Sequence, residues 1–71
     1  MTFRKGSKVS WAWGKGTATG KIAEVYRSKI TLTLKGAEVT RNASKAEPAY
    51  RIVQQDGDEV LKSASEVHKP E

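Results

Sequence analysis

Short runs of β-prone residues separated by glycine-containing turns most strongly constrain the fold of this 71-residue chain. Such runs occupy residues 7–13, 17–26, 29–35, 50–54 and 59–62. Several of them alternate apolar and polar residues, the pattern of a strand with one buried face. A flat sheet of this size would leave long unpaired edges, and closing the sheet removes most of them. The sequence therefore predicts an all-β protein, a small five-stranded barrel that forms one domain over 1–71 and is ordered over about 3–67.

The turns and the intervening segments are assigned from their glycine and capping residues. Gly20 interrupts the second run and predicts a bulge, or a bend where another backbone comes close. Asp56 and Gly57 give the strongest hairpin signal in the chain. Residues 37–48 predict a loop, although 39–41 could extend a strand. The capping-box spacing of residues 63–66 predicts one short helical turn at the end of the domain.

The third run, "KITLTLK", has the clearest alternation in the sequence. Its apolar residues Ile30, Leu32 and Leu34 share one face, so we expect that face to turn toward the core. Its threonines, Thr31 and Thr33, are expected to face outward. The run therefore predicts a strand that is buried on one side only.

The charge of +5 is distributed unevenly along the chain. Residues 1–35 carry eight lysines and arginines against one acidic residue, whereas residues 36–71 carry five against seven. This asymmetry favours an anionic partner, or self-association between surfaces of opposite charge. A solubilising surface with no specific ligand explains the same charges, because net charge alone says little about function.

Composition excludes several classes of protein and site. The chain has no cysteine and one histidine, so it can form neither a disulfide nor a thiolate or imidazole-rich metal site. It has no apolar run long enough to span a bilayer, and no apolar region follows its first basic residues. We therefore expect a soluble, cytoplasmic protein with no cofactor and no membrane partner.

The glycine-rich stretch "VSWAWGKGTATGK" does not fit a nucleotide-binding loop. Its glycines have neither the P-loop spacing nor the dinucleotide-binding spacing, and β-prone residues follow where both motifs need a helix. No nucleophile, base and orienting group can be assembled from the remaining residues, since the only histidine lies near the chain end. The sequence therefore predicts a protein that is not an enzyme.

Aromatic and basic residues supply the candidate binding site. An exposed tryptophan beside a tyrosine can stack on a base or hold a cation, and nearby basic side chains can contact phosphates. The candidate ligand-binding residues are Trp11, Trp13, Tyr26, Tyr50, Lys8, Lys15, Lys21 and Arg27. In the alternative interpretation both tryptophans lie in the core, or one lines a dimer interface.

Two sequence blocks resemble a known family of small, mostly microbial proteins. The first is "KGSKVSWAWGKGTATGKI", with the pattern W-x-W-G-x-G-x-x-x-G, and the second is "GAEVTRNASKAEPAYRIVQQDGDEVLKS", with A-S-x-x-x-P-x-Y. Together with "SEV" near the end, they resemble the hypervirulence-associated protein TUDOR domain family over about residues 3–67. The resemblance implies an SH3-like, Tudor-type barrel, but no catalytic residue, cofactor or ligand. By fold-level analogy it suggests an aromatic cage for methylated lysine or arginine.

Two functions remain open at this point. The first is a non-catalytic binding module that holds nucleic acid or another anionic partner through its basic N-terminal half and an exposed tryptophan. The second is a protein–protein or self-association module, a homodimer that could form by strand exchange. A small domain without disulfides or metals often gains stability from oligomerisation, which supports the second possibility.

Overall fold

A computed structural model describes residues 3–70 and contains six strands followed by one short 3-10 helix. The strands are β1 (Lys8–Trp13), β2 (Gly16–Tyr26), β3 (Ile30–Leu34), β4 (Ala37–Arg41), β5 (Ala49–Gln54) and β6 (Glu59–Ser63). The 3-10 helix spans Ala64–Glu66. The predicted all-β class and the terminal helical turn are both confirmed.

The strands form two antiparallel sheets. One has four strands in the order β1-β2-β5-β6, and the other is the β3–β4 hairpin. The larger sheet curls into a half-barrel, which confirms a small SH3-like barrel. Within the described residues no helix is long and apolar enough to cross a membrane.

The sequence predicts five strands and the structure has six, because β4 lies within the predicted loop at 37–48. A two-residue turn at Lys35 and Gly36 reverses the chain after β3, with φ angles of 53° and 78°. Positive φ at both central residues is the type I′ geometry, which matches the twist of a β-hairpin. β4 has little apolar alternation of its own, so its strand conformation depends on pairing with β3 rather than on a local pattern.

β2 is one of the two inner strands of the larger sheet. It pairs with β1 over Gly16–Lys21 and with β5 over Gly20–Tyr26. At Gly20 it therefore has a partner on each side, Val9 and Gln54. The prediction of a close backbone approach is correct, because a Cβ at Gly20 would lie 2.9 Å from the carbonyl oxygen of Val53, and also 2.5 Å from Cγ2 of Ile52. The irregularity in pairing lies farther along, between Ile22 and Glu24.

The core lies on the concave face of this sheet. Its buried side chains form one cluster, and partly buried side chains, among them Val25 and Val60, pack against it. The buried members are Val9, Trp11, Ile22, Tyr50, Ile52 and Val67. The members that lie on strands share one face, because the register places Ile22, Ile52 and Val60 opposite one another, and Val67 joins them from the end of the 3-10 helix.

The predicted face of β3 is only half-buried. Ile30, Leu32 and Leu34 alternate with the exposed Thr31 and Thr33, as the pattern predicts. These apolar side chains are not part of the central cluster. The difference arises because β3 pairs only with β4 and forms a separate sheet, so its apolar face covers a smaller surface than a central strand would.

The C-terminal segment closes the free edge of β1. His68 and Ser10 exchange two backbone hydrogen bonds, of 2.8 and 2.9 Å. Oγ of Ser10 also lies 3.0 Å from Nδ1 of His68, and Ser10 is only 2% exposed. Backbone hydrogen bonding thus extends to His68, one residue beyond the end of the ordered region that the sequence predicts near residue 67.

The close approach at Gly20 predicts a large effect of one added methyl group. Gly20→Ala places a Cβ against Ile52 and 2.9 Å from the carbonyl oxygen of Val53, so we expect a loss of about 1–3 kcal/mol of unfolding free energy. Gly16→Ala is the matched control, because its nearest neighbour, Nε1 of Trp13, lies 3.9 Å away. Urea denaturation measures both, and equal stability of the two variants would contradict the packing described here.

Candidate anion-binding surface

Two lysines face each other on the convex side of the β1–β2 hairpin. Lys8 and Lys21 are direct cross-strand partners. Because successive side chains of a strand point to opposite faces, both lie on the face away from Val9 and the core. Val53 on β5 is the next residue in the same row. The structure therefore brings two of the predicted basic site residues together.

The hydrogen-bond pattern places these two side chains close to each other. Ile22 donates its backbone N–H to the Ser7 carbonyl at 2.9 Å. The next pair along the hairpin, Lys8 and Lys21, is therefore a non-hydrogen-bonded pair, in which side chains are closest. Cβ atoms at such positions are about 4.5–5.5 Å apart, and like charges that face each other there destabilise the sheet.

A groove of about 540 Å³ lies beside the two lysines. Pro70 forms part of its wall, because the pairing of His68 with Ser10 carries the C-terminal segment back along β1. The lining residues are Lys8, Thr19, Gly20, Lys21, Val53, Gln54, Gln55 and Pro70. The lining thus includes ammonium, hydroxyl and amide groups, which can bind an anion with several oxygen atoms, beside the apolar Val53 and Pro70.

The acidic residues that the structure describes, those within residues 3–70, do not neutralise this pair. Within residues 3–70 the ion pairs are Lys5–Glu24, Lys35–Asp58, Arg41–Glu66 and Arg51–Glu59. Three of the four lie outside the β1–β2 hairpin, and the fourth joins Lys5, before β1, to the second half of β2. Within residues 3–70 neither Lys8 nor Lys21 has an ion-pair partner. Among the described residues, no carboxylate competes with an external anion for these two charges.

The paired cations are held in place by their carboxylates. A hydrogen bond and charge attraction from Asp58, 2.7 Å away, raise the pKa of Lys35 above its ordinary value. The pKa of Arg51 is raised mainly by its hydrogen bond to Glu59, and the nearby Tyr26 raises it further. Tyr26 is therefore a neighbour of a structural ion pair.

The two tryptophans have different environments. Trp11 is 3% exposed and belongs to the core, whereas Trp13 is 62% exposed. Trp13 is the last residue of β1, and its cross-strand partner is Gly16, which has no side chain to cover the ring. The alternation in the sequence predicts that both tryptophan side chains point to the same face of β1. The buried core, however, extends along β1 only as far as Trp11. Trp13 is consequently an accessible aromatic surface at the hairpin tip.

Lys15 lies in the turn beside Trp13, and both are exposed. The tip is five residues along the strands from the Lys8–Lys21 pair, a distance of about 17 Å at the usual rise per residue. The ring of Trp13 also leaves the strand on the core-facing side, opposite to the two lysines. Only an extended ligand can reach both groups.

The other predicted site residues lie elsewhere. Tyr50 is fully buried; its hydroxyl accepts the backbone N–H of Phe3 at 2.9 Å, and the two rings meet edge to face. Tyr26 lies at the opposite end of the 11-residue β2 from the hairpin tip, and Arg27 follows it. Trp11 and Tyr50 thus have structural positions. An aromatic cage would need Trp11, Trp13, Tyr26 and Tyr50 around one accessible point, and within residues 3–70 they are not arranged in this way.

The sequence does not indicate the residues that distant segments contribute to the groove beside Lys8 and Lys21. Gln54 and Gln55 precede the Asp56–Gly57 turn, and Pro70 arrives with the C-terminal segment. No local pattern in the sequence indicates that these residues meet β1 and β2. Across residues 3–70, no group of three His, Cys, Asp or Glu side chains is arranged to hold a metal ion.

Comparison with known proteins identifies a family but no close relative. The family described as hypervirulence associated proteins TUDOR domain matches residues 6–67, which is most of the chain. Comparisons with curated proteins and with solved structures gave no match. The match includes the β1–β2 hairpin, the β3–β4 hairpin and the 3-10 helix. The chain therefore belongs to the hypervirulence-associated TUDOR domain family.

Proposed function

We propose that this domain is a non-catalytic binding module whose β1–β2 hairpin binds single-stranded nucleic acid. A Tudor-type domain is in general consistent with a binding module. The observation that carries the proposal is the Lys8–Lys21 pair, two cations placed side by side with no carboxylate partner among residues 3–70. Such a pair lowers the stability of the sheet, and a phosphate placed between the two ammonium groups would relieve the repulsion.

The exposed ring of Trp13 supports a nucleic acid over a simple anion. Proteins that bind single strands combine basic groups along the backbone with aromatic side chains on which bases stack. Trp13 and Lys15 at the tip, together with Lys8 and Lys21 farther along, supply both kinds of group on one hairpin. A flexible single strand can pass around the hairpin tip, from the Trp13 ring on the core-facing side to the groove on the convex side, whereas a small anion would contact only one of the two places.

The charges suggest how the interaction responds to salt. Three lysines along the hairpin would displace counterions from about three phosphates, which predicts a slope near −2 for the logarithm of affinity against the logarithm of salt concentration. Binding of nucleic acid also requires that protein and nucleic acid share a compartment. The cytoplasmic location that the sequence predicts satisfies this requirement.

Lys21→Glu separates the effect on binding from the effect on folding. The substitution places opposite charges across the strands, so we expect unfolding free energy to rise by about a few tenths of a kcal/mol. At the same time we expect affinity for an oligothymidylate to fall by about tenfold, because one phosphate contact becomes a repulsion. Chemical denaturation and fluorescence anisotropy of a labelled oligonucleotide measure the two quantities.

Lys45→Glu is the matched control for this charge reversal. Lys45 is exposed, lies between β4 and β5, and has no ion-pair partner within residues 3–70. We expect this variant to retain most of the affinity of the original protein. If Lys45→Glu and Lys21→Glu weaken binding equally, net charge rather than the hairpin surface determines the affinity, and the proposed site is wrong.

The different exposure of the tryptophans provides a spectroscopic test. A base stacked on Trp13 should quench its fluorescence, whereas Trp11 is buried and should respond little. We expect oligothymidylate to quench the original protein but not Trp13→Phe, and the variant to bind several-fold more weakly because a phenyl ring offers less stacking surface. Equal quenching in both proteins would show that Trp13 does not contact the bases.

A further inference from the structure

Within residues 3–70 the outer edges of β3, β4 and β6 have no hydrogen-bonded partner strand, and β3 is the one of the three that contains no charged residue. The edge of β1 is covered by the C-terminal segment through His68, and β4 lies beside β6. β3 pairs only with β4. Among residues 3–70, the backbone groups of β3 that point away from β4 make no backbone hydrogen bond. An edge of this kind is a template for another strand.

The hairpin register identifies which backbone groups are free. Leu34 and Ala37 flank the two-residue turn and form a hydrogen-bonded pair, so alternate pairs along the hairpin are hydrogen-bonded as well. Thr31 and Thr33 occupy the other positions and direct their N–H and C=O groups outward. Oγ1 of Thr31 lies 2.8 Å from Oγ1 of Thr40, in agreement with the close side chains of a non-hydrogen-bonded pair.

The composition of β3 does little to block pairing. Residues 30–34, "ITLTL", contain no charge, no proline and no bulge. The lysines at positions 29 and 35 flank the strand but do not interrupt it. The apolar side chains of β3 are only half-buried. A strand added at the free edge of β3 would cover more of their surface.

We propose that β3 binds β3 of a second copy of this chain, as an antiparallel pair with two-fold symmetry. The symmetry requires Leu32 to lie opposite Leu32 of the second copy, because this register pairs all five residues of each strand. Thr31 then faces Thr33 of the second copy, and each such pair exchanges two hydrogen bonds. The outcome is a continuous four-stranded sheet, β4-β3-β3-β4, whose apolar face is twice as large.

Charge complementarity at both ends supports a second copy as the occupant. Lys29 has no ion-pair partner within residues 3–70. In the symmetric register Lys29 lies opposite Lys35 of the second copy, and the two like charges are tolerated there because Asp58, 2.7 Å away, neutralises Lys35. Asp56 adds a further negative charge near that turn, because it also attracts Lys35. Each Lys29 therefore approaches an acidic region.

The interface is small, and this sets the expected affinity. Two five-residue strands and their neighbouring side chains bury much less than the roughly 1,200 Å² typical of stable complexes. We therefore expect a weak, reversible dimer with a dissociation constant between about 10 µM and 1 mM. Sedimentation velocity of the full chain over this concentration range should show the monomer and dimer in exchange.

Thr33→Pro removes one outward N–H of β3 without removing a hydrogen bond to β4. Proline is tolerated at such edge positions, so the hairpin should persist, and circular dichroism checks that it does. Each dimer contains two of the affected bonds, and we expect its dissociation constant to rise at least tenfold. Thr33→Ala keeps the N–H and is the matched control, with little expected change. If Thr33→Pro folds and dimerises like Thr33→Ala, the edge pairing is wrong.

A cross-linking experiment tests the register and does not depend on proline. The chain has no cysteine, so Leu32→Cys introduces a single thiol. At a non-hydrogen-bonded pair the two Cα atoms are about 4.5 Å apart, within the range of a disulfide. We expect mild oxidation to produce a covalent dimer at least tenfold faster than for Glu38→Cys on β4. Equal rates for the two variants, or a strictly monomeric protein at 1 mM, would overturn the proposal.

Discussion

The fold depends on the double pairing of β2. This strand pairs with β1 along its first half and with β5 along its second half, and the two pairings overlap at Gly20 and Lys21. The overlap allows a chain of 71 residues to build a curled sheet around one small core. Gly20 makes the overlap possible, because a larger residue would collide with Ile52 and with the backbone of Val53. β5 then positions β6, and the 3-10 helix that follows brings Val67 into the core.

The same strand connects the fold to the proposed binding surface. Its inner side chains, such as Ile22, complete the core, while Lys21 on the outer face meets Lys8. The C-terminal segment, held to β1 by Ser10 and His68, adds Pro70 to the wall of the groove. Most of the ion pairs lie on other parts of the molecule, which leaves the two lysines on the convex face without a carboxylate among residues 3–70. The charge asymmetry of the sequence thereby becomes a localised cationic surface.

Local patterns in the sequence predicted those elements that are determined by local interactions. Alternation and glycine positions predicted the five strands other than β4, and the capping residues predicted the terminal turn. β4 was missed because Val39 is its only large apolar residue, so its conformation depends on β3. The environments of Trp11 and Trp13 could not be separated either, because the residues occupy equivalent positions in one alternating run. Which ring is buried depends on where the partner strands end, and that is a property of the tertiary structure.

The most direct test of the central claim is an NMR titration of the isotopically labelled protein with an oligothymidylate at low and at high salt. We expect the largest shift changes at low salt at the amides of Lys8 and Lys21 and at the indole N–H of Trp13. Increasing the salt concentration should reverse these changes, because phosphate contacts release counterions. An absence of shift changes at low salt, or changes confined to the β3–β4 hairpin, would contradict the claim that the β1–β2 hairpin binds nucleic acid.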